Sequence, residues 1–298
     1  MKSKNSIVFS AALMFMILLV GCTNSTAYDH APTSPTASFD TDSPYHTIQS
    51  EPVPSQIAPT PEVNSSPEIT PMLESTATPY VKIDGQGYFD EALFVGDSIM
   101  EGIRQYVAAK RQDGEVLGTA KFLTSTMGIS LAGLLGEQEV NVQFSYQGRE
   151  CLLEDILTDI APRRVFLLLG LNDLSSDPDV EVADCVDRYA RLIERLQISC
   201  PQIEFIIITT PPKVASSWLP DYTANRSFNN QLIGKYVEAL IEMCIEQDIP
   251  YVDAYTALKD ENDALPDNFC RDGFIHLNHQ GAAVVVETLE SFAQGGKT

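Results

Sequence analysis

Ala92-Leu93-Phe94-Val95-Gly96-Asp97-Ser98-Ile99-Met100-Glu101-Gly102 reads as a short apolar strand, a tight turn and the opening of a helix. Gly96 is expected to give the turn its backbone freedom. Ser98 then stands where strand gives way to helix, among backbone N–H groups that have no partner inside the helix. Two readings fit. Ser and Asp are the favoured residues for capping a helix. A hydroxyl exposed at such a point can also act as a nucleophile, with the start of an oxyanion hole around it. The triplet alone does not choose between them.

Downstream of this stretch the pattern alternates. Ile99 to Lys110 carries apolar residues at helical spacing, and Lys121-Phe122-Leu123-Thr124 reads as a second strand. Cys151 to Ile160 reads as a helix, Val165 to Leu169 as a fully apolar strand, and Val180 to Ile198 as a long amphipathic helix. Phe205 to Thr209 is a further buried strand, Arg226 to Gln247 a helix, Tyr251 to Asp253 a last short strand, and Ala282 to Phe292 a terminal helix. Strands that are apolar along their whole length suit a sheet covered on both sides. Strand–helix alternation argues an α/β domain, a parallel sheet with helices on both faces.

In such sheets ligands bind beyond the carboxyl ends of the strands. The candidate residues fall there. Ser98 follows the first strand, Gly128 lies shortly after the second, and Asn172 and Asp173 follow the strand at 165–169. Asn172 could simply shape a turn, or its amide could donate to a developing oxyanion. Gly128 could be an ordinary loop glycine or could bring a backbone N–H close to a substrate carbonyl. A serine nucleophile needs a base. Of the four histidines, His30 and His46 lie in a Pro-rich tract, which leaves His276 and His279, between the last strand and the last helix. Asp272 stands just upstream of His276 and could fix its tautomer. His279 has no comparable acid and falls nearer the helix, so His276 is the expected base.

The N-terminal region has its own composition. Lys2 and Lys4 precede the apolar run Ile7–Val20, too short for a comfortable membrane span. The run ends in Leu19-Val20-Gly21-Cys22, which resembles the lipobox of bacterial lipoproteins. The resemblance implies a signal peptide over 1–22, lipidation of Cys22, and attachment to the outer face of the cell membrane. Ten of the chain's 18 prolines fall between Thr23 and Pro79, spaced mostly by Ser and Thr. Too few large apolar residues occur there to offset the cost of ordering the backbone, so 23–85 is expected to be a disordered tether. The folded domain is then 86–298. It holds 16 basic and 33 acidic side chains, a balance that disfavours nucleic acid and anionic head groups as partners. Beyond Cys22 there are five cysteines, at 151, 185, 200, 244 and 270, an odd number without Cys-x-x-Cys spacing, so no metal or redox motif is visible.

Taken together, Gly96-Asp97-Ser98, Gly128, Gly170-Leu171-Asn172-Asp173, and Asp272 with His276 resemble the four blocks of the SGNH, or GDSL, hydrolase family. The resemblance covers most of residues 90–285. One departure is visible: the family's last block has two residues between Asp and His, and here there are three. The resemblance implies a flavodoxin-like three-layer αβα sandwich and ester hydrolysis through an acyl-serine, with no metal or cofactor. It assigns Ser98, His276 and Asp272 to catalysis, and the Ser98 and Gly128 N–H groups with the Asn172 amide to the oxyanion hole. With the expected anchor, it points to acetyl or other short acyl groups on extracellular carbohydrate or cell-wall polymers. Lipid esters of the lysophospholipid type, or a non-catalytic surface binding protein, are the alternatives.

Overall fold

A computed structural model describes residues 37–39, 87–125, 128–138, 142–176, 179–215 and 228–295. The signal peptide with Cys22, and all of the expected tether except Ala37–Phe39, lie outside the described residues.

The strands are β1 (Ala37–Phe39), β2 (Ala92–Gly96), β3 (Lys121–Thr124), β4 (Phe144–Tyr146), β5 (Arg149–Cys151), β6 (Arg164–Leu168), β7 (Glu204–Ile208) and β8 (Tyr251–Val252). They form one sheet in the order β5-β4-β1-β3-β2-β6-β7-β8. From β3 to β8 all neighbours are parallel, as expected of strands with two buried faces. Read in chain order, β3-β2-β6-β7-β8 is the 2-1-3-4-5 arrangement of doubly wound sheets. The direction of winding reverses between β2 and β6, which opens a crevice there.

The other edge departs from a purely parallel sheet. β1 runs antiparallel to β3, and β4 and β5 form an antiparallel hairpin. Ala37–Phe39 is thus strand and not tether. The backbone of an edge strand is a template for pairing, and β1 occupies it between β3 and β4. The hairpin turns at Gln147-Gly148, whose φ angles are 51° and 76°. Two successive positive φ values are what a type I′ two-residue hairpin turn requires.

Aligned aromatic side chains fill one face of the central strands. Phe94 lies opposite Phe122 and Phe166 in the register, and its ring stacks on theirs at centroid separations of 5.0 and 4.5 Å. Such cross-strand pairs stabilise a sheet beyond their buried area. Helices α1 (Ser98–Lys110) and α8 (His279–Ala293) pack together in one layer. Helix α5 (Val182–Ser199) packs against α6 (Asn230–Glu246), and the short α2 (Leu131–Leu135) and α3 (Leu153–Ile160) pack on α5 in the other. Tyr189 of α5 donates to the Leu167 carbonyl at 3.1 Å, which ties that layer to β6.

Several boundaries move for identifiable reasons. Cys151 belongs to β5, not to the helix that begins at Leu153. Helix α8 starts at His279, three residues early, because Asn278 caps it by accepting from the Gln280 and Gly281 N–H groups. The short α4 (Leu171–Ser176) and α7 (Ala254–Leu258) have no strong sequence signal.

Gly96 has a role other than the expected one. Its φ is not in the left-handed region, but a Cβ there would lie 2.6 Å from the Met100 side chain and 2.9 Å from the Leu168 carbonyl. The glycine serves close approach of strand, helix and neighbouring strand.

Candidate active site

The crevice between β2 and β6 gathers the candidate residues. Asp97 caps α1, its Oδ1 accepting from the Ile99 N–H at 2.9 Å. Ser98 is therefore the first residue of the helix, and among the described residues no acceptor takes its N–H. Its Oγ lies 2.9 Å from Nε2 of His276. The other ring nitrogen, Nδ1, lies 2.5 Å from Oδ2 of Asp272. Hydroxyl, imidazole and carboxylate, drawn from two segments 178 positions apart, form one hydrogen-bonded row.

The extra residue between Asp272 and His276 is absorbed locally. Gly273 takes a φ of 68°, which residues with a Cβ rarely adopt. The turn that results aims three N–H groups, from Phe274, Ile275 and His276, at Oδ1 of Asp272, at 3.0, 3.1 and 3.2 Å. Cys270 adds its thiol to the same oxygen at 3.3 Å. Burial pushes the Asp272 carboxyl up, but the His276 ring and these donors outweigh it and hold the group well below the usual carboxylate range. Asp272 is thus a fixed negative charge against the imidazole. His279, the rival base, sits exposed at the start of α8 with its ring edge-on to Tyr106.

The third group stands at the switch point. Gly170 takes a φ of 99° and a Cβ on it would lie 2.0 Å from the Tyr236 hydroxyl oxygen. Both constraints require glycine, and the resulting turn starts α4 with Asn172 facing β2. The Asn172 amide nitrogen donates to Oδ2 of Asp97 at 2.8 Å and to the Ile129 carbonyl at 3.0 Å. Its oxygen faces Gly128, where a Cβ would stand 2.6 Å away. Gly128 therefore has no side chain because the amide occupies that space. Ser98, Asn172 and the Gly128 loop are brought together. Both Asn172 N–H groups, however, are already bonded within the protein.

Three carboxylates around the site have structural work that residue types alone did not reveal. Asp97 is 1% exposed. Burial raises its pKa to about 6, against the lowering effects of the Ile99 N–H and of His276. The buried Asp173 accepts from the Leu131 and Ala132 N–H groups at 2.7 and 3.1 Å, which fixes the end of the Gly128 loop where α2 begins. Burial raises its pKa too, and Arg188 stands 3.7 Å away as a partial counter-charge. Glu101, one turn along α1 from Ser98, accepts the Thr124 hydroxyl at the end of β3 at 2.5 Å. Its pKa falls to about 2: burial would raise it, but Arg104, Thr124 and Gln105 outweigh that. The Glu101–Thr124 bond fixes the helix that carries Ser98 against the strand that leads into the Gly128 loop.

The five described cysteines are all free; four are buried and Cys270 is half-buried. Among the described residues no group of three or more His, Cys, Asp or Glu side chains converges on a metal position, and no helix is long and apolar enough to cross a membrane.

A GDSL esterase/lipase of Arabidopsis thaliana is 26% identical over 145 residues, covering 46% of this chain and 45% of the plant protein, so the chain matches under half the length of that relative. Among solved structures, the lipase/acylhydrolase of Enterococcus faecalis aligns at 16% identity and a TM-score of 0.48, covering 68% of this chain and 95% of that one. A GDSL-like lipase of Bacteroides thetaiotaomicron gives 18% identity and a TM-score of 0.47, covering 68% and 87%. A catalytic mutant of an acetylxylan esterase from Geobacillus stearothermophilus gives 17% and 0.43, covering 69% and 94%. Residues 94–284 match the GDSL-like lipase/acylhydrolase family, a span that includes Ser98, Gly128, Asn172, Asp272 and His276; the chain belongs to that family.

Proposed function

We propose that the protein is a serine carboxylic-ester hydrolase that works through an acyl-serine intermediate. The observation that carries this is the row Ser98 Oγ, His276 Nε2, His276 Nδ1, Asp272 Oδ2, with steps of 2.9 and 2.5 Å. Ser98 Oγ attacks the ester carbonyl as Nε2 of His276 takes its proton. Asp272, held ionised, fixes the tautomer in which Nε2 is free and stabilises the imidazolium that forms. His276 passes that proton to the departing alcohol. Water, deprotonated by the same nitrogen, then releases the acid and restores the serine.

The oxyanion that forms in each half is met by the N–H groups of Ser98 and Gly128 and by the Asn172 amide. Because Asn172 donates to Asp97 and to the Ile129 carbonyl, it serves the oxyanion by exchange. The substrate oxygen replaces the Ile129 carbonyl, and Asp97 keeps the other N–H. Asp97 is thus a positioning residue for the oxyanion donor. Removing one such donor typically slows catalysis about 100- to 1000-fold.

The substrate we favour is an acetyl or other short acyl ester on an extracellular saccharide or cell-wall polymer. The support lies in the sequence: a lipobox-like Leu19-Val20-Gly21-Cys22 and a Pro-rich stretch that would carry the domain away from the outer face of the membrane. Hydrolysis of a short-chain chromogenic ester by the purified chain, with Ser98→Ala beside it, tests the reaction. The variant should lose at least about a thousandfold. Acetate release from acetylated glycans, set against acid release from lysolipids, tests the substrate, and preference for the lysolipid would reject our choice.

A further inference from the structure

We propose that a cavity beside the catalytic loop binds one sugar carboxylate, so that the enzyme favours acyl esters of acidic saccharides over neutral ones. This rests on the hydrolase reading above and specifies its substrate. The cavity is about 360 Å³ and is lined by Gly102 and Gln105 of α1 and by Arg271, Leu277, Asn278, His279 and Gln280. That is within the range of small-molecule sites. Leu277 is buried and makes the floor with Gly102; Gln105, Arg271, His279 and Gln280 are exposed and make the rim.

Its charge is unlike that of the rest of the chain. The protein carries 41 acidic against 19 basic residues, yet no carboxylate lines the cavity. Arg104, Arg164, Arg188, Arg191 and Arg195 are all ion-paired. Among the described residues the guanidinium groups of Arg149, Arg163 and Arg271 have no acceptor, and of these three Arg271 is the one that lines the cavity. A lone guanidinium presents a planar fork that matches one carboxylate in a bidentate pair. A dianionic phosphate would call for further cations and would be repelled more strongly by a chain of net charge −22. Gln105 spends its amide nitrogen on Glu101 at 2.9 Å, which leaves its carbonyl oxygen as an acceptor for a sugar hydroxyl.

The position fits a subsite for the alcohol part of the ester, the sugar that carries the acyl group. Gly102 lies one turn beyond Ser98, about 6 Å along the helix axis. Arg271 immediately precedes Asp272, and its N–H donates to the His276 carbonyl at 2.8 Å, so the cation is built into the backbone of the catalytic loop. The floor is open because residue 102 is glycine: a Cβ there would meet only the Leu277 carbonyl, at 3.6 Å.

The test separates binding from turnover. Glucuronate, glucose and inorganic phosphate are titrated calorimetrically into the Ser98→Ala chain, and into the same chain with Arg271→Gln or Gly102→Leu added. Glucuronate should bind more tightly than glucose or phosphate, and each added change should weaken it about tenfold or more, the loss expected for one charge-assisted pair or for a filled cavity. In chains that retain Ser98, Arg271→Gln should lower the ratio of kcat/KM for acetylated methyl glucuronoside over acetylated methyl glucoside by a similar factor. Arg271 is exposed, so its replacement keeps the test decisive should Gly102→Leu fail to fold. Glucuronate binding indifferent to Arg271→Gln, or bettered by glucose or phosphate, overturns the proposal. Arg271-dependent glucuronate binding without hydrolysis of either ester would instead overturn the hydrolase reading and leave the site standing.

Discussion

Replacing Asp97 by Asn separates two things that this carboxylate does. The buried group carries its charge at a cost, because its pKa rises from 3.8 to about 6. A rise of about two units corresponds to about 3 kcal/mol between the protonation states. The native state holds the proton more tightly than the unfolded chain does. The favourable contribution is therefore complete below pH 3.8 and is lost as pH rises through 6. Asn removes this titration. It still caps α1 as well as Asp does, but one oxygen cannot accept from both the Ile99 N–H and the Asn172 amide, so one bond is replaced by facing donors, at about 1–2 kcal/mol. Near pH 4 the variant should be the less stable protein by that amount. Near pH 8 it should be the more stable by roughly 1 kcal/mol. Urea unfolding across pH 4–8 measures the difference directly. Other groups that titrate, such as Asp272 and Glu101, largely cancel between the two proteins. Stability curves that run parallel, with no crossing, would show that the Asp97 carboxyl does not carry this raised pKa. Ester hydrolysis by the variant should fall at least about tenfold above pH 6, where Asp97 is ionised, because Asn172 loses its charged acceptor.

Three further substitutions probe the site from different sides. Asp272→Asn should leave the fold intact and cut kcat by about a thousandfold or more through the wrong imidazole tautomer; a loss confined to KM would contradict this. Gly128→Ala places a Cβ 2.6 Å from the Asn172 oxygen, so kcat/KM should drop about 100-fold with little change in the urea midpoint. Gly170→Ala meets both a positive φ and a 2.0 Å clash with Tyr236. It should lower unfolding free energy by about 2–4 kcal/mol, and a midpoint unchanged from the parent would show that the turn is not constrained as described.

The apolar runs at 92–96, 165–168 and 205–208 were legible because strands buried on both faces leave no doubt in their composition. The neighbours of Ser98 were legible for another reason: reactive residue types recur just after strands, where a parallel sheet gathers them. What stayed hidden depends on contacts between distant segments. The pairing of Ala37–Phe39 with the strands at 121–124 and 144–146 leaves no trace in a Pro-rich stretch. The 144–151 hairpin has strands too short for a periodicity, although Gln147-Gly148 was a usable turn signal. Residue types named Asn172 as a donor, but they could not show that Asp97 and Ile129 already hold both of its N–H groups. The sequence context of Gly96 points to backbone freedom, whereas the structure requires the glycine for the packing of Met100 and Leu168.

Covalent trapping reads out whether Ser98 is the activated nucleophile. The purified chain is treated with a fluorophosphonate, an ester analogue that leaves a stable adduct on an activated serine, and peptide masses are read with and without Ser98→Ala. A single adduct on the peptide carrying Ser98, absent from the variant and slowed by His276→Ala, is the predicted result. Labelling at another residue, or undiminished labelling of the Ser98→Ala chain, would contradict it.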